Sequence, residues 1–304
     1  MPPPKGFQNN FLEGPGDYDV TAHVHSDTYP AIDPLKADLT GKTVFVSGAS
    51  KGIGRAIVLA FAQAGASNIA AGARSDLKPL EKEVLAAAAA AKRPEPKFLG
   101  LKLDVTSIES VQQAADAVER SFGRLDVVIN NAGILGKMGP IIDTDPEDWW
   151  EVFNVNLRGP YLISRALLPL LLKGGDKMLV HVSSVGALLS MSGGSSYQTS
   201  KTAVNKLTEH IHADYAAQGL TTFCVHPGNC QTDIISGTIE LDDFGKAIFC
   251  DQPQLCADTL VYLTNSKATW LGGRYINVTW DMPELFAKKE EIIGGDKLKN
   301  RFVF

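Results

Sequence analysis

The chain has little cysteine. Among 304 residues only Cys224, Cys230, Cys250 and Cys256 occur, all late and none in a CxxC pair. That excludes a disulfide-dense scaffold and gives a zinc ribbon no ligand spacing, so free thiols in a reducing compartment are expected. No apolar run approaches the ~18 residues of a membrane span; the richest, 166–172, contains Pro169. The opening MPPPKGFQNN lacks the apolar core of a secretory leader, and the closing Arg301-Phe302-Val303-Phe304 matches no lipidation or peroxisomal signal. A cytoplasmic protein is expected. Positive charge is not in excess, with 29 Lys and Arg against 34 Asp and Glu and a net charge of −5, so no broad basic face for nucleic acid is expected. Metal ligands are sparse too. His23 and His25 have no partner ligands nearby in sequence, and a solvated arm rather than a metal site is the expectation.

What the chain does have is core-forming material: 44% hydrophobic against 21% charged residues, ordinary for a globular protein. Residues 1–38 stand apart. They carry Pro2, Pro3, Pro4, Pro15, Pro30 and Pro34 with little periodicity, and read as an arm that is either mobile or laid on the main domain. From Gly41 the pattern becomes regular. Short apolar runs at 43–46, 68–71, 98–103, 125–129, 178–182, 221–225 and 274–278 read as strands. Helical patterns fill 54–65, the stretch through Val84 and Ala86 up to Pro94, 107–122, 145–172 (interrupted near Gly159-Pro160), 196–218 and 253–263. Strands alternating with helices predict βαβ units. The expected fold is α/β: one doubly wound, Rossmann-like domain over 39–281, with a seven-stranded parallel sheet and helices on both faces. A tail over 282–304 carries a helix near 283–293. In such a sheet ligands bind beyond the carboxyl ends of the strands.

The first strand runs into Ser47-Gly48-Ala49-Ser50-Lys51-Gly52-Ile53-Gly54. Glycines there let backbone approach a pyrophosphate, and the helix that follows points N–H groups at the charge. Gly48, Ser50, Lys51, Gly52, Ile53 and Gly54 are therefore candidate cofactor residues. The second strand ends in Gly72-Ala73-Arg74-Ser75, without the acid that would hold the ribose hydroxyls of NAD. Arg74, helped by Lys51, could instead pair with a 2′-phosphate, which predicts NADP(H). Asp76 nearby weakens that case slightly.

Tyr197 and Lys201 are four apart at the start of a long helix and so share a face. Ser184 follows the fifth strand, and Asn156 lies in Asn154-Val155-Asn156-Leu157 within a helix. A lone YxxxK is weak; with the glycine turn, the Ser and the Asn in this order, it is strong. Over about 40–280 the chain resembles the short-chain dehydrogenase/reductases. The resemblance rests on the glycine turn, Asp104-Val105, Asn130-Asn131-Ala132-Gly133, Asn156, Ser184, Tyr197-Gln198-Thr199-Ser200-Lys201 and Pro227-Gly228-Asn229-Cys230-Gln231-Thr232.

The resemblance implies that Tyr197 gives a proton to a carbonyl oxygen as NADPH gives hydride to its carbon. A free phenol near pH 10 is too weak an acid for easy exchange, so Lys201 and the oxidised nicotinamide are expected to lower it. Lys201 would also hold the nicotinamide ribose, Ser184 would orient the substrate oxygen, and Asn156 would hold a water of a proton relay. Asp104 and Val105 would flank the adenine, and Asn131, Ala132 and Gly133 the adenosine ribose. Pro227, Gly228 and Thr232 would lie at the nicotinamide end. Leu188, Leu189 and Met191 after the fifth strand, Ile134 and Leu135 after the Asn-Asn-Ala-Gly turn, and Ile234, Ile235, Ile239, Leu241 and Phe244 in the lid over 233–250 suggest an apolar substrate pocket. They could equally be core.

The expected activity is NADPH-dependent reduction of a hydrophobic ketone. An alcohol dehydrogenase, an epimerase or cyclase on the same fold, and a silent NADP(H) sensor are the alternatives. A small-molecule carbonyl substrate and a homodimer or homotetramer, built on the helices beginning near Gly159 and Ser196, are implied partners. The family commonly ends its last strand in Asp-Gly-Gly, where this chain has Asn277-Val278-Thr279-Trp280-Asp281. That departure, with the arm and tail, looks most like fungal members acting on secondary metabolites.

Overall fold

In the computed structural model, residues 3–7, 10–238 and 240–302 are described; Pro2, Ile239 and Val303-Phe304 lie outside them. β1 (Thr43–Ser47) is buried along its whole length, as an apolar run flanked on both sides must be. Then come α1 (Gly52–Gln63), β2 (Asn68–Ala73), α2 (Lys78–Ala90), β3 (Lys97–Lys102), α3 (Ile108–Phe122) and β4 (Val127–Asn130). The second half adds α4 (Pro146–Phe153), α5 (Gly159–Leu171), β5 (Met178–Val182), α6 (Ser195–Tyr215) and β6 (Thr221–His226). It continues with α7 (Asp233–Ser236), α8 (Asp243–Ile248), α9 (Pro253–Asn265), β7 (Tyr275–Asn277), α10 (Met282–Ala287) and α11 (Lys289–Gly294).

The seven strands form one parallel sheet in the order β3-β2-β1-β4-β5-β6-β7. Val44 of β1 pairs with Ile69 on one side and Val127 on the other. The chain winds outward from β1 to β3, then returns to place β4 beside β1. The crevice at that reversal is where a doubly wound sheet takes its ligand. Two apolar cores cover the two faces. Ile57, Val58 and Phe61 of α1 pack with Leu260 and Val261 of α9 on one face; Val111 and Val118 of α3 pack with Ile163, Leu167 and Leu170 of α5 on the other.

The interruption expected near Gly159-Pro160 has a different form. α4 passes into a π-helical turn, Asn154–Arg158, and α5 begins directly after it. Pro160 sits in the first turn of α5, where its missing N–H costs nothing. Gly159 is demanded by packing, because a Cβ there would stand 2.9 Å from Val105 Cγ2.

The arm lies on the domain. His25 donates from Nε2 to the Asp281 carboxylate at 3.0 Å and stacks on Tyr29 with ring centroids 3.6 Å apart. His23 pairs with Glu284. The solvated histidines expected from sequence are thus tied to the first turn of α10. No helix among the described residues is long and apolar enough to cross a membrane.

Candidate active site

The glycine turn between β1 and α1 is held by the end of β4. Asn131 donates its side-chain amide to the carbonyls of Ser47 and Gly48, each at 3.1 Å, and its own N–H is accepted by Ser47 Oγ at 3.1 Å. Ser47 was not among the residues anticipated from sequence. Its hydroxyl also accepts from the Ala132 N–H at 3.3 Å, so it fastens two strand ends together. Gly48 has φ +66°, and a Cβ at Gly54 would stand 2.2 Å from the Gly48 carbonyl oxygen. Only glycine lets α1 start this close to the strand.

A cleft of about 380 Å³ opens over this turn. Gly48, Ser50, Lys51, Gly52, Ile53, Arg74, Asp104, Val105, Asn131, Ala132, Gly133 and Thr232 line it. Gly54 lies behind the lining as a packing element. Asp76 turns away, its carboxylate accepting the Lys78 N–H at 3.1 Å in the first turn of α2. Lys51 reaches across to Asp233 at the start of α7, Nζ to Oδ2 2.7 Å, with both side chains exposed. Asp104 accepts from Thr106 N–H at 2.9 Å and Thr106 Oγ at 2.7 Å. The Thr106 hydroxyl, then its N–H, hold the Asp104 carboxyl below its usual range.

A second pocket, about 150 Å³, adjoins the cleft; Ile53, Asn131, Gly133, Ile134, Thr232 and Ile234 line both. Ser184, Tyr197 and Lys201 lie in its wall, from the end of β5 and the first turns of α6. The buried Lys201 ammonium donates to the Val182 carbonyl at 2.8 Å and stands 5.7 Å from the centre of the Tyr197 ring. Ser184 Oγ accepts from the Gly186 N–H at 3.0 Å and is hydrogen-bonded to the Tyr197 phenol. Burial pushes that phenol up, against a smaller lowering from the Ser184 bond. Burial also brings Lys201 down to about 8. The lowered phenol expected from the lysine's charge is therefore absent in the protein alone.

Asn156 sits in the π-helical turn. Its amide accepts the Ile134 N–H at 2.9 Å and donates to the Ile134 carbonyl at 2.9 Å and to Ser200 Oγ at 3.2 Å. The side chain thus ties the segment after β4 to α6. π-turns of this kind recur at functional sites.

Pro227 and Gly228 line the second pocket rather than the cleft. Met191, Ile234 and Ile235 line it. Leu188 does not. It ends the 3-10 turn Val185–Leu188 and packs against the core on the α1 side of the sheet. Leu135, expected there after the Asn-Asn-Ala-Gly turn, lines the pocket too, and so do Phe11 and Leu12 of the arm, Met138, Gln198 and Phe249, which were not anticipated as pocket residues. Gln198 was in view as part of the tyrosine motif; the arm residues carried no local signal.

Fold and site together define a dinucleotide-binding α/β protein with a serine, tyrosine and lysine converging beside the cleft. The family model for short chain dehydrogenases matches residues 42–240, and the chain belongs to that oxidoreductase family, whose members bind a nicotinamide cofactor. It is 62% identical to the short chain dehydrogenase pigC of Monascus ruber over 304 residues, all of both chains. It is 52% identical to citE of the same organism over 279 residues, 92% of this chain and 94% of citE. Among solved structures, a short chain dehydrogenase of Shigella flexneri complexed with NADP matches with a TM-score of 0.70 at 26% identity, over 80% of this chain and 99% of that one.

Proposed function

We propose that the protein reduces a hydrophobic ketone to an alcohol with NADPH, Tyr197 being the proton donor. The observation that carries this reading is the convergence of Ser184, Tyr197 and Lys201 in one wall of a mainly apolar pocket that opens onto the dinucleotide cleft. The nicotinamide, when bound, supplies the hydride. The cleft fits such a cofactor: Gly48 and Gly54 are cradle positions that a Cβ would obstruct, and Gly52 has φ +54° under Thr232. Asp104 and Val105 would border the adenine, Asn131 to Gly133 its ribose, and Lys201 and Thr232 the nicotinamide end. Arg74 favours a 2′-phosphate, because Arg74 lines the cleft and the nearby acid, Asp76, does not.

Burial keeps the tyrosine in its proton-bearing form but makes it a weaker acid, so donation depends on Lys201 and the bound cofactor drawing it down. A phenol pushed above its usual range stays protonated throughout the neutral region, the state a general acid needs. In the wall of the pocket, Ser184 can hold the substrate oxygen beside the phenol. The Lys201 ammonium faces the same ring and stabilises the phenolate left after the proton has gone. Asn156 positions Ile134 and Ser200 around this group.

We assign 39–281 as the catalytic unit. A homodimer or homotetramer through the helices beginning near Gly159 and Ser196 is part of this reading; Tyr161 on α5, 48% exposed, and Trp150 on the preceding α4, 58% exposed, are large side chains open to such a contact. Three buried cysteines outside any disulfide, Cys224, Cys230 and Cys256, fit a cytoplasmic location. The test is NADPH oxidation across ketones, quinones and β-ketoacyl thioesters, with Tyr197→Phe in parallel. Turnover that falls by about a hundredfold or more in the variant is expected for a lost general acid; equal turnover in both would refute the assignment.

A further inference from the structure

The N-terminal arm enters the pocket that holds Tyr197. Phe11 and Leu12 form part of its lining, although they lie more than 170 positions before the tyrosine. Three kinds of contact keep them there. First, the backbone at Gly14 presses on the residue after Ser184: a Cβ on Gly14 would stand 2.4 Å from Val185 Cγ2. Second, the arm is bonded to the end of β7 and the segment beyond. Asp17 accepts the Gly14 N–H at 2.7 Å and the Asn277 side-chain amide at 3.0 Å, and the Trp280 indole donates to the Gly16 carbonyl at 3.0 Å. Third, the tail grips it further along. Lys288 donates to the Val20 carbonyl at 2.5 Å, and Glu284 accepts the Ala22 N–H at 2.6 Å. At its other end the arm meets the lid, with the Phe7 and Phe244 rings 6.1 Å apart.

We propose that this arm is a fixed wall of the substrate site, with Phe11 and Leu12 as specificity-determining residues. They receive the apolar part of the substrate that lies beyond its carbonyl. The inference rests on the ketone-reductase reading of the pocket. Its chemistry follows from the lining. Ser184, Tyr197 and Lys201 mark the carbonyl end. Leu12, Met138, Ile235 and Phe249 offer only hydrocarbon or thioether surface, and Phe11, 49% exposed, stands at the mouth. An alkyl or aryl substituent fits that surface and a charged one does not. It also accounts for Asn277 and Trp280 at the end of the last strand: these two side chains are spent on holding the arm.

The experiment compares methyl ketones of increasing chain length, from 2-butanone to 2-dodecanone, in the wild type, Phe11→Ala, Leu12→Ala, Phe11→Trp and Tyr197→Phe. NADPH affinity is measured by fluorescence titration alongside. Neither arm residue lines the dinucleotide cleft, so NADPH affinity in the arm variants should stay within about twofold of wild type, the spread of a lost remote contact. Each alanine variant should lower the kcat/KM ratio of long to short ketones by about tenfold, carried by KM, as expected for a lost apolar contact. Phe11→Trp should move the preferred chain length without abolishing turnover. A long-to-short ratio unchanged in both alanine variants, with Tyr197→Phe inactive, overturns the arm and leaves the reductase standing. Absence of wild-type turnover, or turnover that survives Tyr197→Phe, overturns the reductase reading and the inference with it.

Discussion

Asp251 offers a test of how burial has shaped the ground beneath the site. It is 5% exposed, just after the lid, and pairs with Cys230 in an isolated parallel bridge. Its carboxylate accepts the Asn229 N–H at 2.6 Å and faces the Cys250 thiol. Those bonds do not offset desolvation, and the nearby Asp17 adds repulsion, so the carboxyl is raised from 3.8 to about 7. Such a displacement sets about 4 kcal/mol against the folded state once the group ionises. The folded value lies above the unfolded one. The stabilisation from this group is therefore complete below about pH 4, is lost as pH rises towards 7, and changes little beyond. Asp251→Asn keeps an acceptor for Asn229 and removes the charge. At pH 8 it should raise the melting temperature by about 5 °C for a chain of this size; at pH 4 the two proteins should melt together. Thermal unfolding of both, followed by circular dichroism from pH 4 to 8.5, reads this directly. A variant no more stable than wild type at pH 8, or an advantage that grows as pH falls, would refute the reasoning.

Three further outcomes follow from the same geometry. Arg74→Ala should weaken NADPH binding by about tenfold to a hundredfold, the worth of one charge-assisted bond to a phosphate, and leave NADH binding nearly unchanged; calorimetric titration of both cofactors checks it. Gly54→Ala should abolish cofactor binding, since its methyl would meet the Gly48 carbonyl oxygen at 2.2 Å, whereas Gly139→Ala, with open space around it, should bind as wild type. Trp150→Glu places a charge on the exposed face of α4 and should shift the species seen by light scattering towards a single chain.

The elements that sequence made legible are those whose cause is local. The glycine turn, the strand ends and the four-residue interval between Tyr197 and Lys201 follow from backbone geometry and helical period, and each stands where that period puts it. Leu188 stayed open between pocket and core because apolar composition does not distinguish the two; it ends the 3-10 turn after Ser184 and packs against the core. The π-helical turn that carries Asn156 was invisible for a similar reason: Gly159-Pro160 resembled a break, whereas the deviation precedes it. The arm is a different kind of omission. Asp17 meets Asn277, and Gly16 meets Trp280, across more than 250 residues of chain, and no period or turn rule links positions so far apart. Proline-rich composition argued against regular structure there, correctly, yet an irregular segment can still be ordered when its backbone groups find partners on a folded surface. On the proposed reading, substrate preference comes from such long-range contacts more than from Ser184, Tyr197 and Lys201, which the end of β5 and the start of α6 place whatever the substrate is.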